Sequence, residues 1–197
     1  EGFEDHRIFS NYGLILKHRG KFKEAKIFAI QAIELNPYYD IGYFNLGGIL
    51  NDLGNAQEAL NSYLKVIELN PRYPDIYQQI TEFLHSSDLS KLNKSKVKPL
   101  LNLLLQKTNI PHNKLFKAFQ ICYQDKISTI DEKLDPTFSK IELFLNEKII
   151  INSLKKIIFT NAKWEQVLTK IRREICDKIS NNKKITNQFN LQLIIAL

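Results

Sequence analysis

Apolar residues recur at three- and four-residue spacing along most of the chain, and no stretch alternates as a half-buried strand would. This rhythm predicts helices over residues 6–18, 22–35, 40–53 and 56–69, with a fifth opened by Pro74 and Asp75 and reaching about His85. The rhythm then breaks. Ser86-Ser87-Asp88-Leu89-Ser90 stands where a capping glycine and a further helix belong, and Lys91–Lys98 reads as a solvated connector. Downstream, Leu100, Leu101, Leu103, Leu104 and Leu105 mark 99–107 as a buried helix. Pro111 suits the first turn of the next, with Leu115, Phe116, Phe119 and Cys122 or Tyr123 on one face. Asp135-Pro136 opens a helical region running to Phe159, with a break expected near Asn146 or Asn152. Asn161 is expected to cap a helix with the apolar set Trp164, Val167, Leu168, Ile171, Ile175 and Ile179, ended by Asn181–Lys184. The expected fold class is all-α, with an array over 1–90, a connector over 91–98 and a helical domain over 99–197.

The first part of the pattern is a repetition. Asn11, Gly13, Ile15, Leu16, Gly20, Glu24, Ala25, Ile33, Glu34, Leu35, Asn36, Pro37 and Tyr39 all recur 34 positions later. A period of that length marks a stacked helix–turn–helix array. Gly13 and Gly47 sit inside helices, where glycine costs roughly 1 kcal/mol against alanine. They are offset only where another helix comes too close for a side chain, and Ala25 and Ala59 are the expected small partners. Gly20 and Gly54 fall where the first helix of each pair stops, the usual place for a left-handed cap. Asn36-Pro37 and Asn70-Pro71 end the second, because a residue before proline is pushed out of the helical region.

These marks resemble the tetratricopeptide repeat (TPR) family. The second copy reads Tyr43-x2-Leu46-Gly47-x2-Leu50, then Ala59-x3-Tyr63, then Pro71; the first reads Phe9-x2-Tyr12-Gly13-x2-Leu16, then Ala25-x3-Ala29, then Pro37. Aromatics stand in for the signature tryptophan, and the likeness covers about the first 85 residues. It implies a short α-solenoid of two full repeats and a partial third, whose first helices line a groove for a protein or peptide segment. The groove slots in register are Arg7, Ile41 and Asp75; Ser10, Phe44 and Gln78; Asn11, Asn45 and Gln79; Leu14, Gly48 and Glu82; Lys17, Asn51 and His85. An amide at one slot in successive repeats can offer donor and acceptor to an extended peptide backbone. The row Asn11–Asn45–Gln79 resembles the asparagine ladder of O-linked N-acetylglucosamine transferase repeats, though the same amides can equally serve as bonds between helices. Phe44 and Gly48 are expected to open a small apolar patch beside Asn45 and Asn51. Co-chaperone members of the family clamp a terminal carboxylate with cations; here those slots hold Ser10, Asp75 and Gln79, and Asp75 would repel it.

A second resemblance concerns residues 97–197, which look like the helical connector of bacterial TPR proteins that continue into a methyltransferase-type domain. It implies a catalytic domain beyond Leu197 and no S-adenosylmethionine-binding residue before it. The chain contains no Met and stops within the apolar run Leu193–Leu197, which marks it as a segment of a longer protein. The Leu100–Leu105 helix would cover the open end of the array, since a terminal repeat cannot leave its apolar face bare.

Charge changes the picture little. The net charge of +7 comes from the second part: residues 1–74 carry 8 Lys/Arg against 9 Asp/Glu, residues 75–197 carry 20 against 12. A basic half suggests nucleic acid or an acidic surface. Lys, Asn and Ile are abundant together while Arg is scarce, which reads as a genome-wide bias, and the lysines do not interleave with aromatics as single-strand binders require. Cys122 and Cys176 stand alone and read as buried thiols in a reducing compartment, so the cytoplasm is the expected location. Ile149–Ile151 is too short to span a membrane. His6, His18, His85 and His112 are scattered and imply no metal; Asp131, Glu132 and Asp135 read as a helix-start decoration, and no cofactor or catalytic motif is present. Association of two copies through 97–197 is left open.

Overall fold

The computed structural model describes residues 5–131, 147–157 and 162–180. Every regular element among them is helical, and the chain divides into two compact units, Glu1–Asn93 and Lys94–Leu197. The fold is all-α, opening with a repeat solenoid.

In the first unit α1 (His6–His18) pairs with α2 (Phe22–Leu35), and α3 (Asp40–Asp52) pairs with α4 (Ala56–Leu69). The second pair stacks on the first, with α3 lying against both α1 and α2. Both inner turns are built alike. Gly20 and Gly54 take φ of +74° and +76°. Around them the Lys21 and Asn55 amides reach back to the Leu16 and Leu50 carbonyls, each at 2.9 Å, which satisfies carbonyls the helix end would otherwise orphan. The Asn-Pro ends also match. Asn36 and Asn70 each accept from the amide two residues on, at 3.1 Å, while their side-chain NH2 groups reach His6 (3.3 Å) and Asp40 (2.8 Å). Each asparagine therefore turns the chain and ties the end of one helix to the start of its partner.

The apolar contact between the pairs centres on Leu16, Ala25 and Ala29 against Ile49, with Phe28, Leu46 and Leu53 partly buried around it. Ile49 is fully buried, worth about 1.5–3 kcal/mol for a side chain of its size. Gly13 behaves as expected: a Cβ there would stand 3.2 Å from the Ala25 carbonyl oxygen. Gly47 corrects the expectation, since its near neighbour is the Tyr63 ring, 2.6–3.0 Å from where a Cβ would sit, rather than Ala59.

The third hairpin is incomplete. α5 (Ile76–Ser86) buries Ile76, Ile80, Phe83 and Leu84, and Asp75 before it takes a left-handed φ of 58°. No second helix follows in this unit; a 3-10 turn at Leu89–Lys91 buries Leu89, the Ser87 hydroxyl donates to Asn51 at 2.8 Å, and the Asn93 amide donates to Gln57 at 2.8 Å. The serine-rich stretch thus folds back along α3 and α4.

The second unit begins earlier than expected. α6 spans Lys94–Gln106, so the polar run Lys91–Lys98 is loop only as far as Asn93. Lys94, Ser95 and Lys96 form an exposed first turn, while Val97 joins Leu100, Leu101, Leu104 and Leu105 on the buried stripe. Pro99, near the helix start, forgoes only one backbone bond. A 3-10 turn, His112–Leu115, leads into α7 (Phe116–Asp131); α8 is Lys148–Lys156 and α9 is Ala162–Ser180. α6 packs on α7 and α8, and α7 meets α9 where Phe119 lies 4.9 Å from Trp164. Lys156 donates to the Leu105 carbonyl at 2.6 Å, a cation at the negative end of α6. Trp164, Val167, Leu168 and Ile171 are buried as expected. Of the two breaks expected, Asn152 lies within α8 and breaks nothing, whereas Glu147, beside Asn146, stands extended just ahead of the helix; α8 ends at Lys156, with Ile157 extended, short of the expected Phe159. Cys122 is buried, but Cys176 is exposed, so only one of the two is the buried thiol expected. Asp131, expected at a helix start, is instead the last residue of α7. The expectations for Glu132, Asp135-Pro136, Asn161, Asn181–Lys184, Leu193–Leu197 and the side chains of Ile175 and Ile179 lie outside the described residues. Among the described residues no helix is long and apolar enough to cross a membrane, and no His/Cys/Asp/Glu group could hold a metal.

Candidate peptide-binding face

α1, α3 and α5 occupy the same place in successive repeats, and the expected groove slots fall on them except Asp75, which precedes α5 as its cap residue with a left-handed φ of 58°. At the N-terminal end Arg7 is exposed and already forked onto Asp5, at 3.0 Å through Nε and 2.6 Å through Nη2. That hydrogen bonding holds the Asp5 carboxyl at about 2. Asp5 also caps α1 by accepting from the Arg7 amide at 2.8 Å.

The amide row is not three equal rungs. Asn11 is exposed and makes no hydrogen bond with a described residue. Asn45 is half-buried and donates to the Ser10 hydroxyl at 2.9 Å, joining repeat two to repeat one. Gln79 donates to the Tyr63 hydroxyl at 3.4 Å. One N–H of each of the latter two is therefore engaged between helices, while each keeps a carbonyl oxygen and a second N–H. Asn51 is drawn off differently, accepting from Ser87 and keeping its NH2 group. Gln78 is exposed, and Glu82 is half-buried.

The apolar patch expected at Phe44 and Gly48 is smaller than the residues suggest. Phe44 is half-buried, its ring 5.0 Å from Tyr73 and 6.3 Å from Tyr63. Gly48 is covered: the Lys17 ammonium lies 2.8 Å from where a Cβ would be, on its way to Asp52 at 3.5 Å. Lacking a side chain at 48, the face lets a long cation lie across it. Lys17 thus fills the patch instead of standing free beside it.

Residues 6–39 and 42–73 each match the sequence profile of the tetratricopeptide repeat. Residues 6–73 form a TPR segment. No curated protein matches the chain. TPR segments suggest a protein–protein interaction module, and the two matched spans coincide with the α1–α2 and α3–α4 hairpins whose turns and core are described above.

Two residues of the TPR face escape a reading by slots. Tyr63 belongs to a second helix, yet its buried ring fills the space over Gly47, touches Phe44 and Phe83, and brings its hydroxyl to Gln79. Burial pushes its ionisation upward. Asp52, one residue past the Asn51 slot, is the anchor for Lys17. The adjacent Gly47-Gly48 pair is the signal that could have found both, because two missing side chains in a row leave room that neighbours must fill.

Proposed function

We propose that the TPR segment binds an extended segment of a partner protein along the face of α1, α3 and α5. The observation that carries this reading is the set of half-satisfied amides at one slot: exposed Asn11, then Asn45 and Gln79 with a carbonyl oxygen and an N–H each to spare. Backbone-directed amides bind peptides with little regard to sequence, and Arg7, Gln78 and Phe44 at neighbouring slots add a cation, an amide and a ring edge for preference. Nothing in the chemistry of this face calls for a cofactor or membrane. The experiment is selection from a library of extended peptides on the intact protein, followed by Asn11→Ala with Asn45→Ala. Binding lost while stability falls by no more than about 1 kcal/mol, the share of the Asn45–Ser10 bond, supports the reading. Binding retained, or a midpoint that collapses, assigns the amides to the scaffold.

On the resemblance of 97–197 to connectors ahead of methyltransferase-type domains, the TPR segment would select substrates for an attached group-transfer catalyst in the cytoplasm. The reading frame downstream of Leu197 tests that: a glycine-rich cofactor loop supports it and a stop codon ends it.

A further inference from the structure

At Gly48 the face has a recess, and the chain's own Lys17 lies in it. Phe44, Gly48 and Asp52 follow one another at four-residue spacing, so they line up along one side of α3. The same slot holds Leu14 in α1 and Glu82 in α5; of the three, Gly48 alone lacks a side chain. Where a Cβ would stand, the nearest atoms are Lys17 Nζ at 2.8 Å and Cε at 3.7 Å, and the next is the Tyr63 hydroxyl at 4.0 Å. The end of a lysine thus occupies the recess, with the Phe44 ring one turn before it and the Asp52 carboxylate one turn after.

Lys17 is a removable occupant. Its ammonium stands 3.5 Å from Asp52, and the two side chains keep 28% and 34% of their surface exposed. A pair so open to water adds little stability, so one ammonium can replace another at small cost. When Lys17 swings aside, the space over Gly48 opens as far as the Tyr63 hydroxyl, and Asp52 offers its carboxylate to the next cation. The charge of the face selects the same sign. Arg7 is already forked onto Asp5, exposed Asp75 makes no hydrogen bond or ion pair with a described residue, and Glu82 stands in the Gly48 row one repeat on. Carboxylates outnumber cations along these slots, which favours a basic segment and disfavours an acidic one. We infer, resting on the peptide-binding reading above, that the partner segment carries a lysine whose side chain takes the place of Lys17 over Gly48 and pairs with Asp52.

The test resynthesises a library-selected peptide with lysine, norleucine or glutamate at each position in turn and titrates each form into the intact protein; norleucine keeps the stem and drops the charge. At one position lysine should bind about two- to fivefold tighter than norleucine, the range of a partly exposed ion pair, with glutamate weakest. Asp52→Asn should bring lysine and norleucine level there. Lys17→Ala should widen the margin, because the resident competitor is gone, and added salt should narrow it. Equal binding of lysine and norleucine at every position overturns the inference and leaves the docking face standing. So does a lysine margin that shrinks in Lys17→Ala. Glutamate binding tightest, and losing that advantage in Lys17→Ala, overturns it in favour of an acidic segment held by Lys17. A selection that yields no binding peptide removes the docking face itself, and this pairing with it.

Discussion

Two adjacent glycines on α3 should respond oppositely to the same methyl group. At Gly47 an added Cβ meets three atoms of the Tyr63 ring at 2.6, 2.8 and 3.0 Å. That ring is 0% exposed, bounded by Phe44 and Phe83 and tied through its hydroxyl to Gln79, so it has nowhere to retreat. Overpacking of this kind costs about 1–3 kcal/mol, against roughly 1 kcal/mol regained when glycine leaves a helix interior. With so rigid a neighbour Gly47→Ala should lose about 1–2 kcal/mol. At Gly48 the nearest atom is the flexible Lys17 ammonium, with the next at 3.7 Å. Displacing it weakens a partly exposed ion pair worth about 0–1 kcal/mol, so Gly48→Ala should be neutral or gain up to about 1 kcal/mol. The difference corresponds to a gap of about 4–8 °C per kcal/mol in a unit of this size. The assay separates the units, since seven of the eight tyrosines precede Asn93 and the one tryptophan, Trp164, lies beyond it. Tyrosine fluorescence should report the shift in denaturant midpoint while Trp164 emission serves as internal control. Gly47→Ala at parental stability, or Gly48→Ala equally damaging, would refute the reasoning. A coupling near zero between Gly47→Ala and Tyr63→Leu would do the same.

Asn70→Ala removes the acceptor of the Arg72 amide and the donor to Asp40, and should cost about 1–2 kcal/mol by denaturant titration, whereas Asn61→Ala, at an exposed position of α4 where the side chain accepts from Gln57, should cost no more than about 0.5 kcal/mol. Burial and the nearby Lys156 charge lower the proton affinity of His112 in the folded chain, so the unfolded chain binds more protons as pH falls through the ordinary histidine range. Stability of the second unit, read by Trp164, should therefore be full above about pH 6.5 and decline below it, and His112→Asn should flatten that decline. A thiol reagent should titrate Cys176 alone in the native protein and Cys122 only after denaturation, because Cys122 is buried and its ionisation is pushed up. Two fast thiols under native conditions would contradict the placement of α7.

The repeat segment was legible because its marks are backbone requirements. Gly20 and Gly54 need a left-handed φ, Pro37 and Pro71 forbid helix continuation, and Gly13 needs room for a neighbouring carbonyl. Each follows from one residue and its period. The start of α6 was not legible, because Lys94, Ser95 and Lys96 look the same on a helix surface as in a loop, and Val97 alone signals burial. The face was legible as a row of positions but not as a set of contacts. That Asn45 spends an N–H on Ser10, and that Lys17 lies across Gly48 to Asp52, depend on side-chain reach between helices, which spacing along a chain does not encode. Asp75 shows the same limit: aspartate tolerates the left-handed region, but nothing along the sequence requires φ of 58° at that position.

The most direct test of the docking face is to follow side-chain amide resonances of Asn11, Asn45, Gln79 and Asn61 while a library-selected peptide is titrated into the intact protein. Saturable shifts at Asn11, Asn45 and Gln79, with Asn61 unmoved, are the predicted result. Shifts confined to Asn61 and its neighbours on α4, or none on α1, α3 and α5 at saturating peptide, would contradict it.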